Sequence, residues 1–140
     1  MQVPHETLRR VLELYNPNCR YLVEADVDYP SANGKFILGP TAYAQDMKHM
    51  TAIEAQLCLN QLCYAAFGVW LPQGMLGPAV KFPDYAALMK ENMFIIDSRI
   101  RFEKPIPKDA EFVHGGVKVE KAKNRRDLHL ARLSFEFERE

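Results

Sequence analysis

The sequence predicts an α+β domain in which a curved antiparallel sheet is wrapped around one long central helix. Three observations carry this. Residues 52–67 are apolar almost all round a helical wheel, so the helix they form must be covered on most sides. Stretches with two-residue alternation of apolar and polar side chains stand before and after it. The 140 residues suit one core, so 1–140 is read as one domain.

The elements follow in order. Glu6 to Leu14 is helical, with Leu8, Val11, Leu12 and Tyr15 on one side, and Pro17 stops it. Arg20 to Tyr29 alternates as a strand, Tyr21, Val23, Ala25 and Val27 against Arg20, Glu24, Asp26 and Asp28. Pro30 to Gly34 is expected to turn, because Asn33 and Gly34 tolerate positive φ, and Lys35 to Leu38 returns as the hairpin partner. Thr41 to Met50 is a loop carrying Tyr43, Asp46 and His49. Thr51 followed by Glu54 is a capping-box signature, and the central helix is expected from Ala52 to Phe67, with Gly68 as its stop. Pro72 to Pro83 is a loop, and Asp84 caps a short helix through Lys90.

Three strands are expected in the last third. Phe94 to Phe102 sets Phe94, Ile96, Ser98, Ile100 and Phe102 on one face and Asp97, Arg99 and Arg101 on the other. A Pro-rich connection covers Lys104 to Asp109. Glu111 to Lys121 is the next strand, where Gly115 and Gly116 mark a bulge or a close approach. After a turn over Lys121 to Asp127, Leu128 to Glu138 closes the sheet with Ala131, Leu133, Phe135 and Phe137 on one face. Helix, strand pair, buried helix and three antiparallel strands make the hot-dog arrangement.

Composition narrows the function. Lys plus Arg and Asp plus Glu are 18 each, so no net field draws the chain to nucleic acid or an anionic membrane. Cys19, Cys58 and Cys63 are an odd set without Cys-x-x-Cys spacing, which argues against a disulfide framework or structural zinc and for reduced thiols in a cytoplasm. The start of the chain lacks a signal-like apolar run, and the apolar helix is too short and too polar for a membrane span. Neither a Gly-x-Ser-x-Gly elbow nor a His-Glu-x-x-His box is present, so serine hydrolase and metal chemistry lose weight, and no metal or cofactor is expected.

The informative anomaly is polarity on a helix that must be buried. Glu54 and Gln61, seven residues apart, lie nearly above one another, while Gln56 and Asn60, four apart, share a second face. Capping alone accounts for Thr51 and Glu54. Asn60 has no such local role and must meet a strand, a loop or a substrate. His49 stands just before the cap, where it is either a surface histidine or a general acid or base.

With these words in view the chain resembles the FcoT-like hot-dog thioesterases. The resemblance runs through Arg10 to Tyr15, Cys19 to Leu22, Thr41 to Tyr43, His49 to Glu54, Asn60 to Phe67, and Ser98 to Pro105. The family's proposed site has two tyrosines and two asparagines. They fall on Tyr15, Tyr43 and Asn60, with Thr51 at the first asparagine position. The resemblance implies hydrolysis of a fatty acyl thioester, on acyl-CoA or acyl-carrier protein, by a homodimer or dimer of dimers. It carries alternatives: addition of glycine to an enoyl thioester followed by hydrolysis, a dehydratase-like reaction, or a non-catalytic acyl-binding module. Relatives that add glycine share the His and Glu around the helix start, here His49 and Glu54.

The expected mechanism needs no covalent intermediate. Helix N-terminal amides at Ala52 and Ile53 hold the charge that grows on the thioester oxygen. Tyr43 or Tyr15 adds a hydroxyl donor, Asn60 positions water or the thioester, and Glu54 or His49 takes a proton. Phe67 lines the acyl site. Arg99, Arg101 and Lys104 are either a solvated face or contacts for a pantetheine phosphate, a carrier protein or a glycine carboxylate.

Overall fold

The apolar wheel closes as expected. In the computed structural model, which describes residues 1–125 and 128–138, it forms α2, Ala52–Trp70. Before it come α1 (His5–Leu12), a single 3-10 turn (Pro17–Cys19), β1 (Leu22–Asp28) and β2 (Ser31–Phe36). After it come α3 (Phe82–Glu91), β3 (Val113–Arg125) and β4 (Leu128–Glu138). The strands form one antiparallel sheet in the order β1-β2-β3-β4. The sheet covers one side of α2 through β1, β2 and β3, and α1 and α3 pack on it from elsewhere, so the cover is shared rather than a complete wrap by the sheet.

Several boundaries differ from the sequence reading, each for a physical reason. Gly68 does not end α2. It lies inside the helix, where a Cβ would meet Thr7 Cγ2 at 3.0 Å and Tyr85 Cε1 at 3.3 Å, so its missing side chain lets α1 and α3 approach. Asn33 and Gly34 do not turn. The hairpin turns four residues earlier, at Tyr29 and a cis Pro30, with Asp28 paired to Ser31. Gly34 sits in β2 under the helix, where a Cβ would come within 3.1 Å of Leu62 Cδ1. A bulge between Leu22 and Glu24 shifts the β1 alternation, so Tyr21 and Leu22 are both buried and Val23 is turned out. Lys81 stands at the N-terminal boundary of α3 without a side-chain cap, Pro83 is in its first turn, and Asp84 lies inside it. β3 continues through Arg125, into the residues expected to turn; Arg126 and Asp127 lie outside the described residues.

The largest correction concerns Phe94 to Phe102. Its alternation predicts a strand, yet it pairs with no strand among the described residues. Period two marks a segment that suits a sheet, but the ladder itself needs a partner edge. Here Phe94 and Ile96 remain 76% and 79% exposed, and Arg99, Arg101 and Lys104 lie on an exposed, unladdered segment rather than at a strand end. The close approach expected at Gly115 is present, with Phe36 and Phe137 each 3.1 Å from the position of a Cβ. On β4, Leu133, Phe135 and Phe137 are the half-buried positions, and their neighbours are exposed.

One side chain ties the helix to the sheet. Gln61 is fully buried, and its Oε1 accepts from the amides of Tyr21 (2.9 Å) and Leu22 (3.0 Å). Its Nε2 donates to the Cys19 carbonyl at 2.6 Å. Its polarity is therefore structural: it satisfies the backbone where β1 enters the core at its bulge. Gln61→Leu leaves two amides and one carbonyl without partners, at about 1–3 kcal/mol for each that stays dry. We expect a loss of roughly 3 kcal/mol or more, read as a lower urea midpoint at unchanged slope; an unshifted midpoint contradicts this role.

Candidate active site

The start of α2 is built by its own capping box. Thr51 Oγ1 accepts from the Glu54 amide at 3.2 Å, and Glu54 Oε1 accepts from the Thr51 amide at 2.9 Å. Two of the first-turn donors are thereby used, and those of Ala52 and Ile53, both exposed residues, have no carbonyl one turn back to meet. The Tyr43 hydroxyl is hydrogen-bonded to the Thr51 hydroxyl. Tyr43 is itself 46% exposed, so the pair sits at the surface over the helix end.

Glu54 is 0% exposed, and its other oxygen lies 2.7 Å from Lys108 Nζ, whose side chain is only 9% exposed. The contact is an ion pair at Oε2 without the alignment of a hydrogen bond. Lys108 reaches the site because residues 48–50 and 106–108 run antiparallel: Met50 N donates to Ile106 O, Lys108 N donates to Lys48 O, and His49 bridges Pro107. Lys108 Nζ also donates to Thr41 Oγ1 at 2.7 Å. Sequence reasoning passed over Lys108 as part of a Pro-rich connection. Its one signal was indirect: a carboxylate on a buried helix requires a cation, and that connection carries two.

Asn60 belongs to a different group. Glu54 and Gln56 are separated by about 200° around the helix, so the second polar stripe faces away from the first. Gln56 Nε2 donates to Asn60 Oδ1 at 2.9 Å, and Ser98 Oγ donates to Gln56 Oε1 at 2.8 Å. This occupies the Asn60 acceptor and leaves its Nδ2 without a partner among the described residues. Asn60 lies about 13 Å along the axis from Thr51, at 1.5 Å per residue. Gln56 and Ser98 were not among the sequence candidates; the i, i+4 spacing of Gln56 and Asn60 was the available signal.

Tyr15 is half-buried beside Tyr64 and Cys63, one turn beyond Asn60. Burial pushes its hydroxyl well above the ordinary tyrosine range, with Tyr64 and Cys63 adding to the effect, so it is a neutral donor at any physiological pH. The structure thus brings Tyr43 and Thr51 together, sets Asn60 with Gln56 and Ser98, and keeps Tyr15 with Tyr64, as three groups along one helix. His49 is exposed just before the cap. Phe67 packs on Trp70, ring centres 6.2 Å apart, as part of the core margin. Arg99, Arg101 and Lys104 are exposed.

The two cysteines of α2 do not offer a nucleophile. Burial pushes the Cys63 thiol up to about 12, and burial together with the Glu54 charge pushes Cys58 higher still. Among the described residues no group of three or more His, Cys, Asp or Glu is arranged to hold a metal ion, and no helix is long and apolar enough to cross a membrane. A depression on the other face of the sheet is lined by polar groups such as Asn33, Lys118, Glu120 and Glu136, and contains none of the candidate residues.

Comparison with known proteins gives a consistent picture. A Mycobacterium marinum protein named (2E)-enoyl-[ACP] glycyltransferase is 36% identical over 112 residues, which is 74% of this chain and 60% of that protein. Proteins of the same name from Mycobacterium bovis and Mycobacterium tuberculosis are 34% identical over 115 residues, 74% of this chain and 61% of theirs. The chain spans about three fifths of the length of these relatives. The FcoT-like thioesterase domain model matches residues 10–139, and the chain belongs to that family.

Proposed function

We propose that this chain acts on a (2E)-enoyl thioester carried by acyl-carrier protein or CoA, adding the amine of glycine to the β-carbon and then hydrolysing the thioester. The observation that carries it is the convergence of the Tyr43 and Thr51 hydroxyls on a helix start whose Ala52 and Ile53 amides are unclaimed. Both steps place negative charge on the same oxygen. In the addition, a C–N bond forms at the β-carbon, the π electrons move onto the carbonyl oxygen, and the ammonium proton returns to the α-carbon. In the hydrolysis, water adds to the carbonyl carbon, the C–S bond breaks, and the thiol leaves with a proton. Donors fixed at that oxygen serve both, each contributing about 3 kcal/mol to the transition state. The relatives' name supports the addition step. Plain hydrolysis is the second reading, favoured by the thioesterase family itself.

The roles divide along the helix. Tyr43, Thr51 and the Ala52 and Ile53 amides bind the oxyanion. His49, exposed two residues before the cap, takes the proton from the amine or water. Glu54, with both oxygens engaged and no exposure, holds the site rather than acting as the base. Asn60 Nδ2 and the Tyr15 hydroxyl orient the acyl chain farther along, and Phe67 borders it. Arg99, Arg101 and Lys104 meet the phosphate of the pantetheine arm or the glycine carboxylate. The fold is read as the hot-dog arrangement working as a homodimer; the exposed, strand-patterned segment 94–102 supports pairing with a second copy.

Tyr43→Phe and Asn60→Ala should each lower turnover of an enoyl thioester at least tenfold in folded protein, measured as thiol release; full turnover in both variants sinks the site assignment. Mass spectrometry after incubation with glycine should show a mass gain of one glycine on the acyl product. Free enoic acid alone leaves plain hydrolysis. For the buried pair, Lys108→Met strands the Glu54 charge and should cost about 3–5 kcal/mol, while Lys108→Met with Glu54→Gln should recover most of it in urea unfolding. Equal losses in the single and double variants contradict the pairing.

A further inference from the structure

Lys108 has a second contact that the ion pair does not require. Its ammonium, held against Glu54, also donates to Thr41 Oγ1 at 2.7 Å. Thr41 is 8% exposed, and the same oxygen accepts from the Met47 amide at 2.9 Å. The Thr41 amide in turn donates to Asp46 Oδ1 at 3.2 Å. Thr41 therefore closes residues 41–47 into a ring of local hydrogen bonds, and Tyr43 rides on that ring with its hydroxyl on Thr51. The far side of the ring is anchored through Lys108, which also lies 4.0 Å from Asp46 Oδ1, to the buried carboxylate of α2.

We infer that Lys108 and Thr41 are positioning residues that set the Tyr43 hydroxyl over the start of α2. This rests on the reading that Tyr43 serves the reaction, and it assigns to the reaction two residues that supply none of its oxyanion donors. An exposed tyrosine on a loop is otherwise free to swing, and a donor misplaced by about 1 Å can cost on the order of a hundredfold in rate. The route is Glu54 to Lys108, Lys108 to Thr41, and Thr41 to the Tyr43 loop.

Thr41→Val keeps the shape and removes the acceptor without touching the ion pair. The protein carrying 3-fluorotyrosine gives a fluorine resonance for each of its six tyrosines, and the one lost in Tyr43→Phe identifies Tyr43. That resonance should move in Thr41→Val and return in Thr41→Ser; an unmoved resonance overturns the relay. Should Thr41→Val fail to fold, Lys108→Arg keeps the charge on Glu54 while changing the donor at Thr41, and the same resonance must move. In turnover, Thr41→Val should lower kcat about tenfold with KM little changed, and adding it to Tyr43→Phe should cause no further loss. Multiplied losses in that double variant also overturn the relay. Full activity in Tyr43→Phe defeats the site reading instead, while the fluorine resonance still decides the relay.

Discussion

A buried carboxylate at the first turn of the central helix is the constraint on which the rest of the structure depends. Glu54 has no access to water, so its charge must be met inside the protein. Three things meet it: the positive end of the helix, the Thr51 amide, and the Lys108 ammonium. The first two are local and come with the capping box. The third comes from 54 residues along the chain and can arrive only if the segment 106–108 lies against 48–50, which the backbone pairing there secures. Satisfying one charge thus fixes the loop that carries Tyr43, the entry to the helix, and the course of the chain between α3 and β3.

The two polar stripes of α2 differ in how fully the protein satisfies them. Glu54 and Gln61 point where there is no water and are fully engaged with protein, one by an ion pair and a cap, the other by three hydrogen bonds to the start of β1 and the residues before it. Gln56 and Asn60 lie on the other side, half-buried, with a donor unspent. A helix covered all round has no surplus polar capacity. Where a donor remains, the cover is incomplete, and here the incomplete side is the one crossed by Ser98 on the exposed segment 94–102.

What the sequence made legible follows from which signals are local. The capping box, the start of the buried helix and the last strand rest on neighbours within a few residues, and each appears where the pattern places it. Gly34 and Gly68 misled because a glycine reads as a turn or stop from sequence, whereas here each removes a side chain so that Leu62, or Thr7 and Tyr85, can approach. The strand expected at Phe94–Phe102 failed for the complementary reason: alternation describes the segment and says nothing of an edge to receive it. At the site, Tyr43 and Thr51 were legible. Lys108 and Thr41 were not, since their meaning comes from a contact across 67 residues of chain.

The threonine at the cap also has a chemical logic of its own. The resemblance places an asparagine at this position, whose amide supplies an N–H donor. Thr51 already accepts from the Glu54 amide, and its hydroxyl is bonded to that of Tyr43. Each hydroxyl has one proton. If Tyr43 donates to Thr51, the Thr51 proton remains to be given; if Thr51 donates to Tyr43, the Tyr43 proton remains. In either arrangement the pair keeps one O–H to donate at the start of the helix. On the proposed reading, a threonine and a tyrosine held together do the work of an amide donor, provided that the tyrosine is kept in place, and this makes the cap and the anchoring of the Tyr43 loop parts of a single device.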